Sequence, residues 1–173
     1  MQKLFTTSEY GNHHVDLIQI VASIAGVNLE VTVVAKTSAE EKDLFAKAAV
    51  TTLPILEVEE NVFIATAPAI ASFVAASSES SAYLAGTTAF EQSSVDQWVN
   101  FLRVETGSLA GALNAIHFGH ISDVDANEHA FIVALLKENL KALNNGLKGR
   151  EWIAGTDKPS IADYQLAIVE LEL

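Results

Sequence analysis

The sequence predicts a mixed fold in two parts, α/β plus all-α. An α/β domain covers residues 1–76, a linker 77–89, and an all-helical domain 90–173. Three observations predict it. Up to Ala76, short β-branched or alternating apolar runs interleave with stretches of helical spacing. From Glu91 onward strand signals become scarce. Between them, Thr52-Leu53-Pro54-Ile55-Leu56 sets a proline between an apolar and a β-branched residue, where a strand should begin. Proline donates nothing to a sheet ladder, so it belongs at a strand start, an edge or a bulge. Such a turn can hold a cis peptide bond, the minority form in general.

The elements follow in order. Lys3 to Thr7 reads as a first strand and the polar Ser8 to His14, with Gly11-Asn12, as a loop. Val15, Leu17, Ile18, Val21, Ala22 and Ile24 fall near helical spacing, in a helix ending at Gly26. Leu29 to Val34 alternates and is β-branched, a second strand. Ser38-Ala39-Glu40-Glu41 has the form of a capping box opening a helix through Ala48. Pro54 to Val58 and Asn61 to Ala65 read as a hairpin turning at Glu59-Glu60. Pro68 suits the first turn of a third helix, to about Ala76, with Thr66 as its cap. The order β-α-β-α-β-β-α is that of a thioredoxin-like domain.

Ser77 to Phe90, rich in Ser, Thr, Ala and Gly, reads as the linker, with a surface turn at Gly86. Val95, Trp98, Val99 and Leu102 mark a long amphipathic helix; Phe131, Leu135, Leu136, Leu140, Leu143 and Leu147 mark another, ended near Gly146 to Gly149. Ile161 to Leu173 is a third without a terminator, which implies a segment of a longer protein, truncated within the helical domain. Trp98 and Trp152 are expected in the helical core. Ser160 and Asp163 match S-x-x-[DE], a structural pair in which the Ser oxygen accepts from the Asp163 N–H and the carboxylate returns to the Ser160 N–H.

Composition narrows the function. Half of the 173 residues are hydrophobic and 18% are charged, enough to bury a core. There is no cysteine, which excludes a disulfide framework and a cysteine nucleophile. No apolar run reaches a membrane span and Met1-Gln2-Lys3-Leu4-Phe5 lacks a signal-peptide pattern, so a cytoplasmic protein without membrane contact is expected. The net charge of −12 disfavours direct nucleic-acid binding, which needs clustered Lys and Arg. The longest basic grouping, Lys148-Gly149-Arg150, reads as a helix C-terminal cap. A mean hydropathy of +0.27 points to a buried interface with another chain, a homodimer among the choices. His13-His14 and His117, His120, Asp123, Asp125, Glu128 and His129 match no zinc or EF-hand spacing, so no metal site is expected.

In sum, the chain resembles the glutathione-transferase superfamily over nearly its whole length. Leu4-Phe5-Thr6-Thr7-Ser8-Glu9, Thr52-Leu53-Pro54-Ile55-Leu56, Ala69-Ile70-Ala71-Ser72-Phe73-Val74 and Gln97-Trp98-Val99-Asn100-Phe101 are similar to the transferase-like region of the elongation factor-1 gamma subunits. Trp152-Ile153-Ala154-Gly155, running into Pro159-Ser160-Ile161-Ala162-Asp163, resembles the superfamily's helical-domain folding motif. Tyr83-Leu84-Ala85-Gly86 followed by Trp98 is similar to transferase-like domains of aminoacyl-tRNA synthetase complexes.

The resemblance implies where glutathione would sit. In working transferases a Glu or Gln followed by Ser opens the third helix and holds the γ-glutamyl carboxylate; the matching pair here is Thr66-Ala67, followed by Pro68. A cis Pro54 would leave the Leu53 backbone free for a peptide-like ligand. The hydroxyl that polarises the thiol would come from Ser8, Thr7 or Tyr10. The preferred reading is a non-catalytic interaction module of the translation machinery, its partners translation-factor subunits. The alternatives are a dimeric glutathione transferase, and a scaffold domain bound to subunits of an aminoacyl-tRNA synthetase complex.

Overall fold

The structure, a computed structural model, describes residues 2–7 and 12–170. It divides into two compact units, Met1–Thr87 and Thr88–Leu173.

The first unit runs β1 (Gln2–Thr6), α1 (His13–Ala25), β2 (Leu29–Val33), α2 (Ala39–Ala48), β3 (Ile55–Glu59), β4 (Val62–Ala65) and α3 (Ala67–Ala76), the predicted thioredoxin-like order. The sheet order is β2-β1-β3-β4, with β1 parallel to β2 and the other pairs antiparallel. Alternation along the strands assigns the faces. Ile55 joins Val34 and Leu44 of the α2 side, with Phe5 and Phe63 packed against them. Leu4 and Leu56, both fully buried and opposite each other in register, turn to the other face. There α1 and α3 pack together through fully buried residues that include Val15, Ile18, Ile70 and Val74.

Local chemistry moves several boundaries. The loop expected through His14 ends at Asn12, whose carboxamide accepts from the His14 N–H at 3.1 Å and starts α1. Gly26 ends that helix at φ 68°. At α2 the Ser38 hydroxyl accepts from the Glu41 N–H, but the Glu41 carboxylate takes the Thr37 N–H at 2.6 Å rather than that of Ser38. The hairpin turns one residue later than expected. A register shift between Glu57 and Glu59 extends β3, and Asn61 takes the positive φ of the turn, 60°. Beyond α3, the buried Ser81 hydroxyl donates to Ala75 O at 2.8 Å. A 3-10 turn, Ala82–Ala85, follows, and Gly86 closes it at φ 89°. Gly86 is buried, not the surface turn expected of it.

The second unit comprises α4 (Ala89–Asn100), a π-helical stretch (Phe101–Thr106), α5 (Gly107–His117), α6 (Ala126–Leu147) and α7 (Ile161–Glu170). The expected long helix is thus interrupted by wider turns. Just before them the Gln165 amide of α7 donates to Val99 O at 3.4 Å, taking up a carbonyl where the regular ladder breaks. Thr88 with Glu91, and Asp125 with Glu128, form full capping boxes for α4 and α6. Trp98 is half-buried, edge-on to Phe101 at 5.6 Å. Gly146 lies inside α6 rather than beyond it. A Cβ there would stand 2.5 Å from the Trp98 ring, so only glycine admits this approach.

The Ser160–Asp163 pair is a capping device of a different form from the one expected. One Asp163 oxygen accepts from the Ser160 N–H at 2.8 Å and from the Ser160 hydroxyl at 2.7 Å; the other accepts from the Ile153 N–H at 2.7 Å. The serine hydroxyl therefore donates to the carboxylate, because Ser160 is fully buried and an ionised acceptor is the strongest partner in reach.

Two stability outcomes follow. Asp163→Ala orphans the Ile153 N–H and the Ser160 hydroxyl and is expected to cost about 3 kcal/mol, read from the urea midpoint. Gly146→Ala is expected to cost about 1–3 kcal/mol by overpacking against Trp98, despite alanine's higher helix propensity, with a change in tryptophan emission.

Candidate functional site

The residues expected to hold glutathione meet where the β3–β4 hairpin feeds α3. Leu53–Pro54 is cis, as the sequence allowed, and Pro54 is buried. Leu53 is half-buried against the Val34–Leu44–Ile55 cluster. Among the described residues its backbone N–H and C=O have no hydrogen-bond partner. Across from it the Thr66 N–H donates to Pro54 O at 3.3 Å, and Thr66 O accepts from the Ile70 N–H at 3.0 Å. The chain thus brings Leu53, Pro54, Thr66 and Ala67 to one corner.

The side chains there differ from what a tripeptide needs. Thr66 stands at the N-cap position, but its hydroxyl makes no cap bond; φ is 74° and ψ 136°, which turns the side chain out of the capping geometry. This corrects the expectation that Thr66 caps the helix. Ala67 is buried and offers no hydroxyl, and Pro68 has no N–H. The first turn of α3 keeps only the Ala67 and Ala69 N–H groups and the helix dipole as an anion site. A helix end contributes about 0.3–1 kcal/mol, whereas even millimolar binding requires about 4 kcal/mol.

Of the hydroxyls proposed for the thiol, Ser8 and Tyr10 lie outside the described residues. Thr7 is exposed just past β1, and its Oγ1 accepts from the Asn12 amide at 3.4 Å. Asn12, expected in a plain loop, both caps α1 and donates to Thr7.

The histidine-rich connection between α5 and α6 is spoken for locally. His117 stacks edge-on with Phe118 at 5.1 Å, and Asp125 and Glu128 serve the α6 cap. Among the described residues no three His, Asp or Glu side chains converge as metal ligands. No helix among them is long and apolar enough to cross a membrane. On α6 itself, only Leu136 and Leu143 of the expected apolar positions are buried. Phe131, 63% exposed, and Leu135 one turn on, also exposed, lie on an outward stripe flanked by Glu128 and Glu138.

Solved structures place this architecture. The chain superposes on a delta-class glutathione transferase from Nilaparvata lugens (TM-score 0.80, 16% identity, 98% of this chain and 77% of that one). It also superposes on glutathione transferase F2 from Populus trichocarpa (0.80, 19%, 100% and 82%) and on an unclassified glutathione S-transferase from Bombyx mori (0.76, 18%, 98% and 76%). No protein-family model matches the sequence, and no curated protein does. At these identities the likeness is one of fold: a thioredoxin-like domain followed by a helical domain, as in glutathione transferases.

Thr66 gives the test of this corner. A β-branched residue at φ 74° is strained by about 1–3 kcal/mol. Thr66→Gly is expected to raise stability by about 1 kcal/mol after glycine's entropic cost. Thr66→Val, which removes only a hydroxyl without a cap bond, should fall within about 0.5 kcal/mol of the parent. Both are read from urea unfolding.

Proposed function

We propose that this chain uses the glutathione-transferase fold to dock other proteins and does not conjugate glutathione. The observation that carries the reading is the start of α3. Thr66-Ala67-Pro68 offers a γ-glutamyl group one hydroxyl, that of Thr66, in place of a Glu or Gln followed by Ser, and lacks a full set of N–H donors. The exposed α6 stripe of Phe131 and Leu135 between Glu128 and Glu138 is an apolar patch with an acidic rim, the form expected of a docking face. A stable partner would have to bury about 1,000 Å² or more in total. The partner class we propose, translation-factor subunits in the cytoplasm, rests on the stretches similar to the elongation factor-1 gamma subunits. Synthetase-complex subunits are the second choice.

A working transferase is the competing reading, and one observation favours it. The unpaired Leu53 backbone is the feature a peptide-like ligand would use.

Calorimetric titration with glutathione separates the two. The docking reading expects no saturable heat up to about 10 mM, weaker than roughly −3 kcal/mol, and no conjugation of a chlorodinitrobenzene electrophile. Saturable binding below that level, or turnover, overturns it. Restoring the missing side chains by Thr66→Gln with Ala67→Ser is expected to gain at least tenfold in affinity, about 1.4 kcal/mol.

A further inference from the structure

We infer that a cleft within the helical unit, between α4 and the turn that follows α6, is a docking site for an acidic peptide segment carrying an aromatic or apolar side chain. The cleft has a volume of about 460 Å³, and Phe90, Gln97, Trp98, Asn145, Lys148 and Arg150 are among the residues lining it. That volume lies in the range of about 300–1,000 Å³ typical of ligand sites. The inference deepens the docking reading above by naming a surface and a partner chemistry.

Charge is the first observation. The chain has 10 basic residues against 22 acidic ones, yet two of the ten line this one cleft. Among the described residues neither the Lys148 nor the Arg150 side chain has an ion-pair or hydrogen-bond partner. The Arg150 guanidinium lies near the turn at Gly155. Its Nη1 lies 3.4 Å from where a Cβ at that residue would be, and Gly155 has φ +72°. A guanidinium laid along a backbone turn keeps its planar fork free for a carboxylate. Proximity to the α6 C-terminus is favourable for both cations, but it explains nothing of the aromatic side of the cleft.

The aromatic side is the second observation. Phe90 is 81% exposed, and Trp98, fixed against Gly146, is half-buried. An apolar side chain entering the cleft would cover both. Among the described residues the Gln97 and Asn145 amides have no partner, so each offers a donor and an acceptor to a peptide backbone. Cations, uncovered rings and free amides together match an acidic peptide better than a bare anion or a purely apolar ligand.

The test is fluorescence anisotropy with the labelled peptide Asp-Glu-Phe-Asp-Leu-Glu, using the whole chain at low salt. Saturable binding is expected. It should weaken at least tenfold in Lys148→Glu with Arg150→Glu, and about fivefold in Phe90→Ala. Lys137→Glu with Lys141→Glu, which makes the same charge change outside the cleft, should leave affinity within twofold. A peptide with Asn and Gln replacing the acids should bind at least tenfold more weakly. No binding of the acidic peptide, equal binding by the cleft variant, or equal binding of the neutral peptide each overturns the assignment. So does displacement by free glutamate at peptide-like concentrations, which would give the cleft to small carboxylates. All these positions are exposed except Trp98, and matched thermal melts confirm that the variants fold. Failure here with glutathione still unbound removes the cleft and leaves docking in place. Glutathione turnover removes the docking reading and leaves the peptide result standing.

Discussion

The helical unit hangs on one carboxylate. Asp163 gathers the Ile153 N–H, the Ser160 N–H and the Ser160 hydroxyl within 2.7–2.8 Å, so a single side chain fixes the entry to α7 and the turn ten residues upstream. From that turn the chain is tied onward. The Ser94 hydroxyl of α4 donates to Ala154 O at 2.7 Å, and Ile153 is fully buried. Charge-assisted bonds to a part-buried carboxylate are stronger than neutral ones. Here they set the path of the turn that carries Gly155, near which the Arg150 guanidinium lies.

The thioredoxin-like unit keeps most of its core apart from the α3 entrance. Its stability resides in fully buried apolar side chains on the sheet and helices, such as Leu4, Leu56, Ile70 and Val74, none of which belongs to the α3 entrance. The exposed Thr66 side chain can therefore change without touching the core, whereas Ala67, at 3% exposure, belongs to it. The backbone around them does not change so freely. Thr66 is clamped at its N–H by Pro54 O and at its O by the Ile70 N–H, and that double constraint holds a β-branched residue at φ 74°. A strained conformation persists only where its surroundings over-determine it. The main chain of the corner is thus fixed more firmly than the exposed Thr66 side chain it carries.

The fold class and the order of elements were legible because they depend on periodicity and on a few punctuating residues: Gly26 at the end of α1, Ser38 before α2, Pro68 in the first turn of α3. What was not legible depended on competition between partners. Glu41 could reach the N–H of Ser38 or of Thr37, and it takes the latter. The hairpin turn moved because a bulge at Glu57–Glu59 adds a residue that no pattern announces. The π-helical stretch followed from no spacing of apolar residues, since Val95, Val99 and Leu102 fit a regular helix equally well. Thr88-x-x-Glu91 and Asp125-x-x-Glu128 both have the capping-box form, the second masked by the histidines around it. Leu53, Pro54, Thr66 and Ala67 could be grouped from sequence and share one corner, but the failure of Thr66 to cap could not be read, because it follows from a backbone angle set by tertiary contacts.

Glycine has two uses in this chain, and the difference bears on the cleft. In the first unit Gly26 and Gly86 end helices, where a left-handed or extended positive-φ backbone is required. In the second, Gly119, Gly149 and Gly155 likewise take a positive φ, whereas Gly146 acts through the space it leaves. At Gly146 the missing side chain lets the Trp98 ring lie against α6, while the Arg150 guanidinium lies near the Gly155 turn. An aromatic ring and a cation thus line one cleft. A methyl group at Gly146 would push into the ring, whereas at Gly155 it would meet the guanidinium only at ordinary contact distance and would suffer instead from φ +72°. The aromatic half of the cleft is therefore fixed by packing that the fold cannot relax cheaply. The cationic half rests on a surface turn that can alter its charge without disturbing the core, so the cleft's selectivity can change while its shape is retained.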